Sequence, residues 1–237
     1  MSAVKNLVSD AEHLLKTTVH RATSFLHEQR TQGTELTPIT PDAVLQKRFL
    51  AERPFNTFSS GRTRPRLNLV IDSLDSGNLY GGVGTALIFA ALAAQRRGCD
   101  LRIITRWHRA QPQSFVRIMQ VAGLTAPANV EFKFADYEAP PADLELGENE
   151  LFITTSWWTT ASALLTIAPH RILYLLQEDE RMFYPYGDDH LRCSELLSNP
   201  ELTFLINSKL LYDHLGAELP GIAARGLWFE PAFPSEV

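Results

Sequence analysis

Basic residues, cysteines, clustered histidines and long apolar runs are all scarce in this chain, and each scarcity removes a class of protein. Lys and Arg number 22 against 27 Asp and Glu, for a formal net charge of -5. The cations are scattered and form no basic stripe, which excludes nucleic acid as a partner. The two cysteines, Cys99 and Cys193, lie far apart and outside any CxxC or Cys/His pattern. That spacing argues against structural zinc and a disulfide framework, and it fits a reducing, cytoplasmic compartment. The first thirty residues carry charges throughout and lack the continuous apolar core of a secretory signal. The longest apolar stretch, residues 86–94, falls far short of the roughly 20 residues that a spanning helix needs. Peripheral attachment at the inner face of a membrane stays open.

Three chemical motifs are missing as well. No lysine follows the glycines at 81–84, so there is no GxxxxGK[ST] phosphate loop. No GxSxG occurs, and none of the seven histidines sits beside a convincing nucleophile. No DxD-type pattern or acid–histidine cluster calls for a metal, so metal-independent chemistry is expected.

What remains is a chain of 237 residues, 45% hydrophobic and 21% charged, long enough to bury a large core without covalent staples. Apolar residues at steps of three and four from Val4 to Leu26 predict one amphipathic helix of about seven turns. It reads as packing on its own domain or as a means of self-association. Thr31 to Pro41 reads as a polar linker and residues 42–52 as a short helix. Residues 53–65, with Pro54, Gly61 and Pro65, read as a loop. Residues 1–62 are therefore expected to be a helical extension and linker, and 63–237 the main domain.

From Arg66 onward the pattern changes. Short apolar runs at 66–71, 101–105, 129–134, 151–154, 171–176 and 202–206 predict strands. Helical patterns at 81–97, 113–122, 157–167, 188–197 and 208–215 separate most of them, and residues 136–149 read as a loop. Repeated β-α alternation specifies an α/β fold: a Rossmann-like parallel sheet with helices on both faces.

In such folds ligands bind beyond the carboxyl ends of the strands. Three segments fall there. The first runs from Asp72 to Ala86 and places a helix start in the cluster Gly81, Gly82, Val83 and Gly84. Free N–H groups and the positive end of the helix dipole favour an anion at that point. A dinucleotide fingerprint can be forced onto Gly82–Gly84, but Leu87 stands where Gly or Ala is wanted and no acid ends the second strand. The second segment is Gln177-Glu178-Asp179-Glu180-Arg181, three acids directly after a buried strand, with Phe183, Tyr184 and Tyr186 as aromatic neighbours. Acid–base work at the sheet edge requires a carboxylate in this position; a solvated acidic turn is the bland alternative. The third is the pair Trp157 and Trp158, able to stack on sugar faces, although core packing of at least one is expected. Asn207 or Ser208 reads as a helix N-cap.

Taken in order, the 66–71 strand, Tyr80-Gly81-Gly82-Val83-Gly84-Thr85-Ala86-Leu87, Tyr174-Leu175-Leu176-Gln177-Glu178-Asp179-Glu180, Phe183-Tyr184-Pro185, Phe204-Leu205-Ile206-Asn207-Ser208 and the Phe229–Pro234 exit resemble the N-terminal domain of the WsaF-like rhamnosyltransferases, a GT4-like group of GT-B glycosyltransferases. The resemblance implies the acceptor-side half of a two-lobed enzyme of bacterial surface polysaccharide assembly, with a nucleotide-sugar donor such as dTDP-rhamnose. A second lobe, in a C-terminal domain or a partner chain, would grip the nucleotide. It further implies Gly81, Gly82, Val83 and Gly84 at the donor diphosphate, Glu180 or Glu178 at the reacting centre, and Trp157, Trp158 and Tyr184 against a saccharide acceptor. Here Glu178 replaces the family's usual Asp and Asp179 its aromatic residue, which leaves the choice of base open. A non-catalytic carbohydrate-binding or assembly module and an NAD(P)-binding Rossmann protein are the alternatives.

Overall fold

The computed structural model divides the chain into two compact units, Met1–Leu45 and Gln46–Val237. It describes residues 44, 48–75, 82–137 and 144–231. The predicted helix of residues 4–26 and the linker after it lie outside the described residues, and everything below concerns the second unit. That unit starts ahead of residue 63, the start expected from the sequence.

Seven parallel strands form the main sheet. They are β2 (Arg66–Ile71), β3 (Asp100–Thr105), β4 (Val130–Phe134), β6 (Glu150–Thr154), β7 (Ile172–Leu176), β8 (Thr203–Asn207) and β9 (Gly226–Phe229), in the spatial order β4-β3-β2-β6-β7-β8-β9. Among the described residues six α-helices accompany them: α1 (Gly82–Arg97), α2 (Pro112–Val121), α3 (Trp157–Leu164), α4 (Asp188–Leu197), α5 (Lys209–Glu218) and α6 (Pro220–Arg225). The expected parallel α/β fold is therefore present. A further two-stranded parallel sheet joins β1 (Thr57–Ser59) to β5 (Leu144–Leu146), pairing Thr57 with Leu144. Neither short strand was expected; both lay in segments read as loops.

The central strands are buried on both faces, and their period of two divides the core. Leu67, Leu69 and Ile71 of β2 point to one side, where they meet Ala86, Ala90, Ala91 and Ala94 of α1 and Phe115 and Met119 of α2. Val70 lies in the opposite layer with Phe152, Tyr174, Phe204 and residues of α3 to α6. Alanines along the buried stripe of α1 let that helix lie close to the sheet. Gly98, at φ +60°, supplies the left-handed residue that ends it.

The amino end of the sheet is held by charge. Glu150 accepts from Arg66 at 2.5 Å and from Arg102 at 3.1 Å, with Asn68 donating to the same carboxylate at 2.9 Å. All four side chains are buried, so each charge relies on its neighbours for the solvation it has lost. The carboxyl end is thereby left as the open end.

The strand order also fixes where a crevice must form. From β2 the chain moves outward to β3 and β4; from β6 it moves outward in the other direction to β7, β8 and β9. β2 and β6 are neighbours at the reversal, and the loops leaving their carboxyl ends diverge to opposite faces.

Candidate active site

A crevice of about 450 Å³ opens at that reversal. One wall comes from the end of β2 and the start of α1, through Asp72, Ser73, Gly82 and Val83. The other comes from the β6–α3 corner and the segment after β7, through Thr155, Ser156, Trp158, Gln177, Glu178 and Glu180, with Phe183 at the rim. The glycine-rich helix start and the acid-rich turn thus meet across one opening. They touch directly: Gln177 Nε2 donates to the Gly82 carbonyl at 2.9 Å. A Cβ on Gly82 would stand 2.9 Å from that same nitrogen, so the close approach depends on glycine. Gly81 lies outside the described residues. Val83 and Gly84 occupy the first turn of α1, where the backbone N–H groups have no partner within the helix.

Glu180 is built in rather than solvated. It is 7% exposed and begins a short 3-10 turn, Glu180–Phe183. Its Oε1 accepts from the Tyr174 hydroxyl at 2.6 Å and its Oε2 from the Trp157 amide at 2.9 Å. The Trp157 amide belongs to the first turn of α3, so the carboxylate sits on a helix N-terminus. Burial outweighs these two donors and pushes the carboxyl up to about 7, with Asp72 and Glu178 adding to the rise. That value lies near neutral pH, where a carboxylate is most effective in proton transfer.

Glu178 lines the same crevice and is exposed. Asp179 turns away from it. Asp179 pairs with Arg181 at 2.7 Å and with His214 at 3.3 Å, and caps the 3-10 turn through the Arg181 amide. Burial alone would raise its carboxyl, but these partners bring it below the usual range. The three adjacent acids therefore part into one buried at the crevice, one exposed, and one buried in an ion pair.

The aromatic residues divide in a similar way. Trp158 lines the crevice. Trp157 does not: it is 4% exposed, packs in the core layer of α3 to α6, and donates from Nε1 to the Tyr184 hydroxyl at 3.0 Å. Tyr184, edge-on to Trp157 at 6.0 Å, backs that indole and is likewise absent from the lining. Of the three residues expected against an acceptor, only Trp158 is in the crevice lining; Trp157 and Tyr184 stand behind it. Ser156 fixes the corner through a reciprocal cap with Thr159, which orients both indoles.

Asp72 was not singled out by the sequence, yet it occupies the wall of β2. Its Oδ1 accepts from Tyr137 at 2.9 Å and from Trp158 Nε1 at 2.9 Å, while Oδ2 takes only a share of the Trp158 donor at 3.1 Å. Burial raises the carboxyl above its ordinary value, against the pull of these donors and of Arg106. Arg106 lies fully buried between the rings of Phe55 and Tyr137, 4.3 and 4.4 Å from their centroids. The signal available in sequence was an acid immediately after the 66–71 strand, in the topologically privileged β-α loop.

The N-cap expected from Asn207 or Ser208 is not made. Ser208 holds the N-cap position without a side-chain bond, and the Lys209 amide donates to Glu230 at 3.1 Å. The chain returns along β9 and brings that acid to the start of α5, a placement no local pattern encodes.

A second groove of about 560 Å³ lies between α3 and α4, lined by Glu52, Ala161, Leu164, Arg192 and Leu196 among others. It is larger, but it draws mainly on helix surfaces, and of the residues expected at the strand ends it takes Trp157 alone. Among the described residues no three His, Cys, Asp or Glu side chains come together to hold a metal ion. Nor is any helix there long and apolar enough to cross a membrane.

The nicotinamide alternative gains nothing from the structure. β3 closes in Thr105 and Arg106, offers no carboxylate for a ribose, and its arginine is walled in by two rings.

A doubly wound parallel sheet with an acidic, aromatic-rimmed crevice at its reversal point defines a Rossmann-like α/β domain. The family model for the WsaF N-terminal domain matches residues 66–208, well over half of the chain, and the protein belongs to that family. No curated protein matches it.

Proposed function

We propose that the chain forms the acceptor-side lobe of a GT-B glycosyltransferase, transferring a hexosyl residue such as rhamnose from a nucleotide donor during surface polysaccharide assembly in the cytoplasm. The observation that carries this reading is the convergence of the α1 start and the Glu178–Glu180 turn on one crevice at the switch point. The amides of Val83 and Gly84, with Gly81 and Gly82 beside them, would face the donor's diphosphate. A second α/β lobe would hold the nucleotide, and leaving-group charge would be stabilised by these amides and by that lobe's cations. Glu180 is the favoured base. Its carboxyl, pushed up to about 7, can take the acceptor hydroxyl's proton and release it again near neutral pH. Glu178, exposed at the same rim, is the alternative base. Trp158 and Phe183 offer apolar surface to a sugar ring, and Trp157 and Tyr184 fix the corner behind Trp158.

The test is Glu180→Gln in the complete two-lobed enzyme, supplied with dTDP-rhamnose and a saccharide acceptor. Gln keeps an acceptor for the Trp157 amide but cannot accept a proton. Loss of two or more orders of magnitude in kcat with an unchanged fold is expected, as for removal of a general base. Turnover near that of the wild type would remove Glu180 from the mechanism.

A further inference from the structure

Among the described residues, the charged groups that line the crevice are all acids. Asp72, Glu178 and Glu180 face it, and among the described residues no Lys, Arg or His belongs to its lining. The nearest arginines are spoken for. Arg106 is enclosed between Phe55 and Tyr137 with Nη2 on the Arg53 carbonyl, and Arg181 is paired with Asp179. Residues 76–81, which follow the β2 wall, include no basic residue either.

The hydroxyls in the lining are largely committed to the fold. Thr155 donates to the Val70 carbonyl, and the Ser156 side chain is engaged with Thr159. The carboxylates are what a ligand can bond. Of these, Glu180 has both oxygens engaged by buried donors, whereas Asp72 Oδ2 carries only the weaker half of a shared bond. Tyr137 and Trp158 clamp the other oxygen, so the Asp72 carboxylate is held in place without being used up.

We infer that Asp72 is a specificity-determining residue: its less engaged oxygen, Oδ2, accepts a hydroxyl of the acceptor saccharide, and the acidic lining it heads admits uncharged or cationic sugars while rejecting uronates and other acidic ones. The inference rests on the reading of this crevice as a saccharide site, and adds the substrate class to it. A sugar hydroxyl is a donor, so it satisfies Asp72. A sugar carboxylate is only an acceptor and adds like charge beside the carboxyls of the lining. Discrimination of this kind is built from repulsion of the wrong ligand as much as from attraction of the right one.

Three methyl glucosides that differ only at C6 isolate the charge: the 6-amino-6-deoxy compound, the parent glucoside and the glucuronide. Binding of each to the full chain is followed by saturation-transfer NMR titration at low and at high salt. The amine is expected to bind at least as tightly as the parent, and the glucuronide about tenfold more weakly at low salt. That gap should shrink as sodium chloride is added, because charge repulsion at an open crevice is screened. Asp72→Asn should weaken the parent glucoside and narrow the gap. If all three bind alike at every salt concentration, or the glucuronide binds best, the inference falls and the saccharide site stands. If none binds, the reading of the crevice falls and takes the inference with it. Should Asp72→Asn fail to fold, the salt series on the unaltered chain decides alone.

Discussion

Glu180 makes a stability prediction that needs no substrate. Its carboxyl is buried and pushed up to about 7, from 4.5 in an unstructured chain. Between those two values the folded protein binds more protons than the unfolded one, so stability is fully present below the lower value and is lost as pH rises through the upper. Integrated from pH 5 to pH 8, that loss amounts to about 2–3 kcal/mol. For a domain of this size it corresponds to roughly 5–10 °C in Tm. Asp72 and other carboxyls also titrate, and a comparison with Glu180→Gln cancels most of their share. Urea unfolding of both proteins at pH 5 and pH 8 gives the difference of differences. The wild type should lose about 2–3 kcal/mol more than the Gln variant over that interval. A difference that stays constant within about 0.5 kcal/mol would show that the carboxyl is not held neutral by its surroundings, and the argument for Glu180 as a base poised near neutrality would go with it.

Other perturbations test separate parts of the fold. Glu150→Gln removes the buried carboxylate that Arg66 and Arg102 share, leaving Arg66 only the more exposed Glu131 and Glu145, and should cost roughly 3–5 kcal/mol in urea unfolding. Gly82→Ala meets only the mobile end of Gln177, so it should cost under about 1 kcal/mol while breaking the bond across the crevice. Gly147→Ala places a Cβ 2.8 Å from the Arg62 carbonyl and should cost more, about 1–3 kcal/mol, because the obstacle is backbone. Trp158→Phe removes the indole donor from Asp72, and NMR titration should find that carboxyl higher still. Cys99 and Cys193 are buried, and burial pushes the Cys193 thiol up to about 12; neither should react with a thiol reagent at pH 8 until the protein is unfolded.

Much of this fold is written locally. β2 carries four apolar residues, Leu67, Leu69, Val70 and Ile71, interrupted by Asn68, and such a run suits a sheet covered on both faces. The alternation that follows fixed parallel strands, and with them the edge where ligands bind. Glu178 and Glu180 were legible for the same reason, as acids immediately after a buried strand. β1, β5 and β9 were not, since strands of three or four residues owe their existence to partners far along the chain, as Thr57 does to Leu144. Sequence could not say which indole faced the crevice: Trp157 and Trp158 are adjacent, and the helical turn between them sends one to the core. Asp72 escaped notice because its partners, Tyr137 and Trp158, lie 65 and 86 residues away. Arg106 read merely as the missing acid at the end of a strand.

The small β1–β5 ribbon bears on how the protein can be shortened. The matched family region opens at Arg66, which makes that residue a tempting place to cut. A chain begun there would leave Leu144–Leu146 as a bare ladder, take Phe55 out of the hydrophobic interior, and strip Arg106 of both a ring and the Arg53 carbonyl. Behind Asp72 the floor would sag. A truncated version meant for assay should retain everything from Gln46 onward.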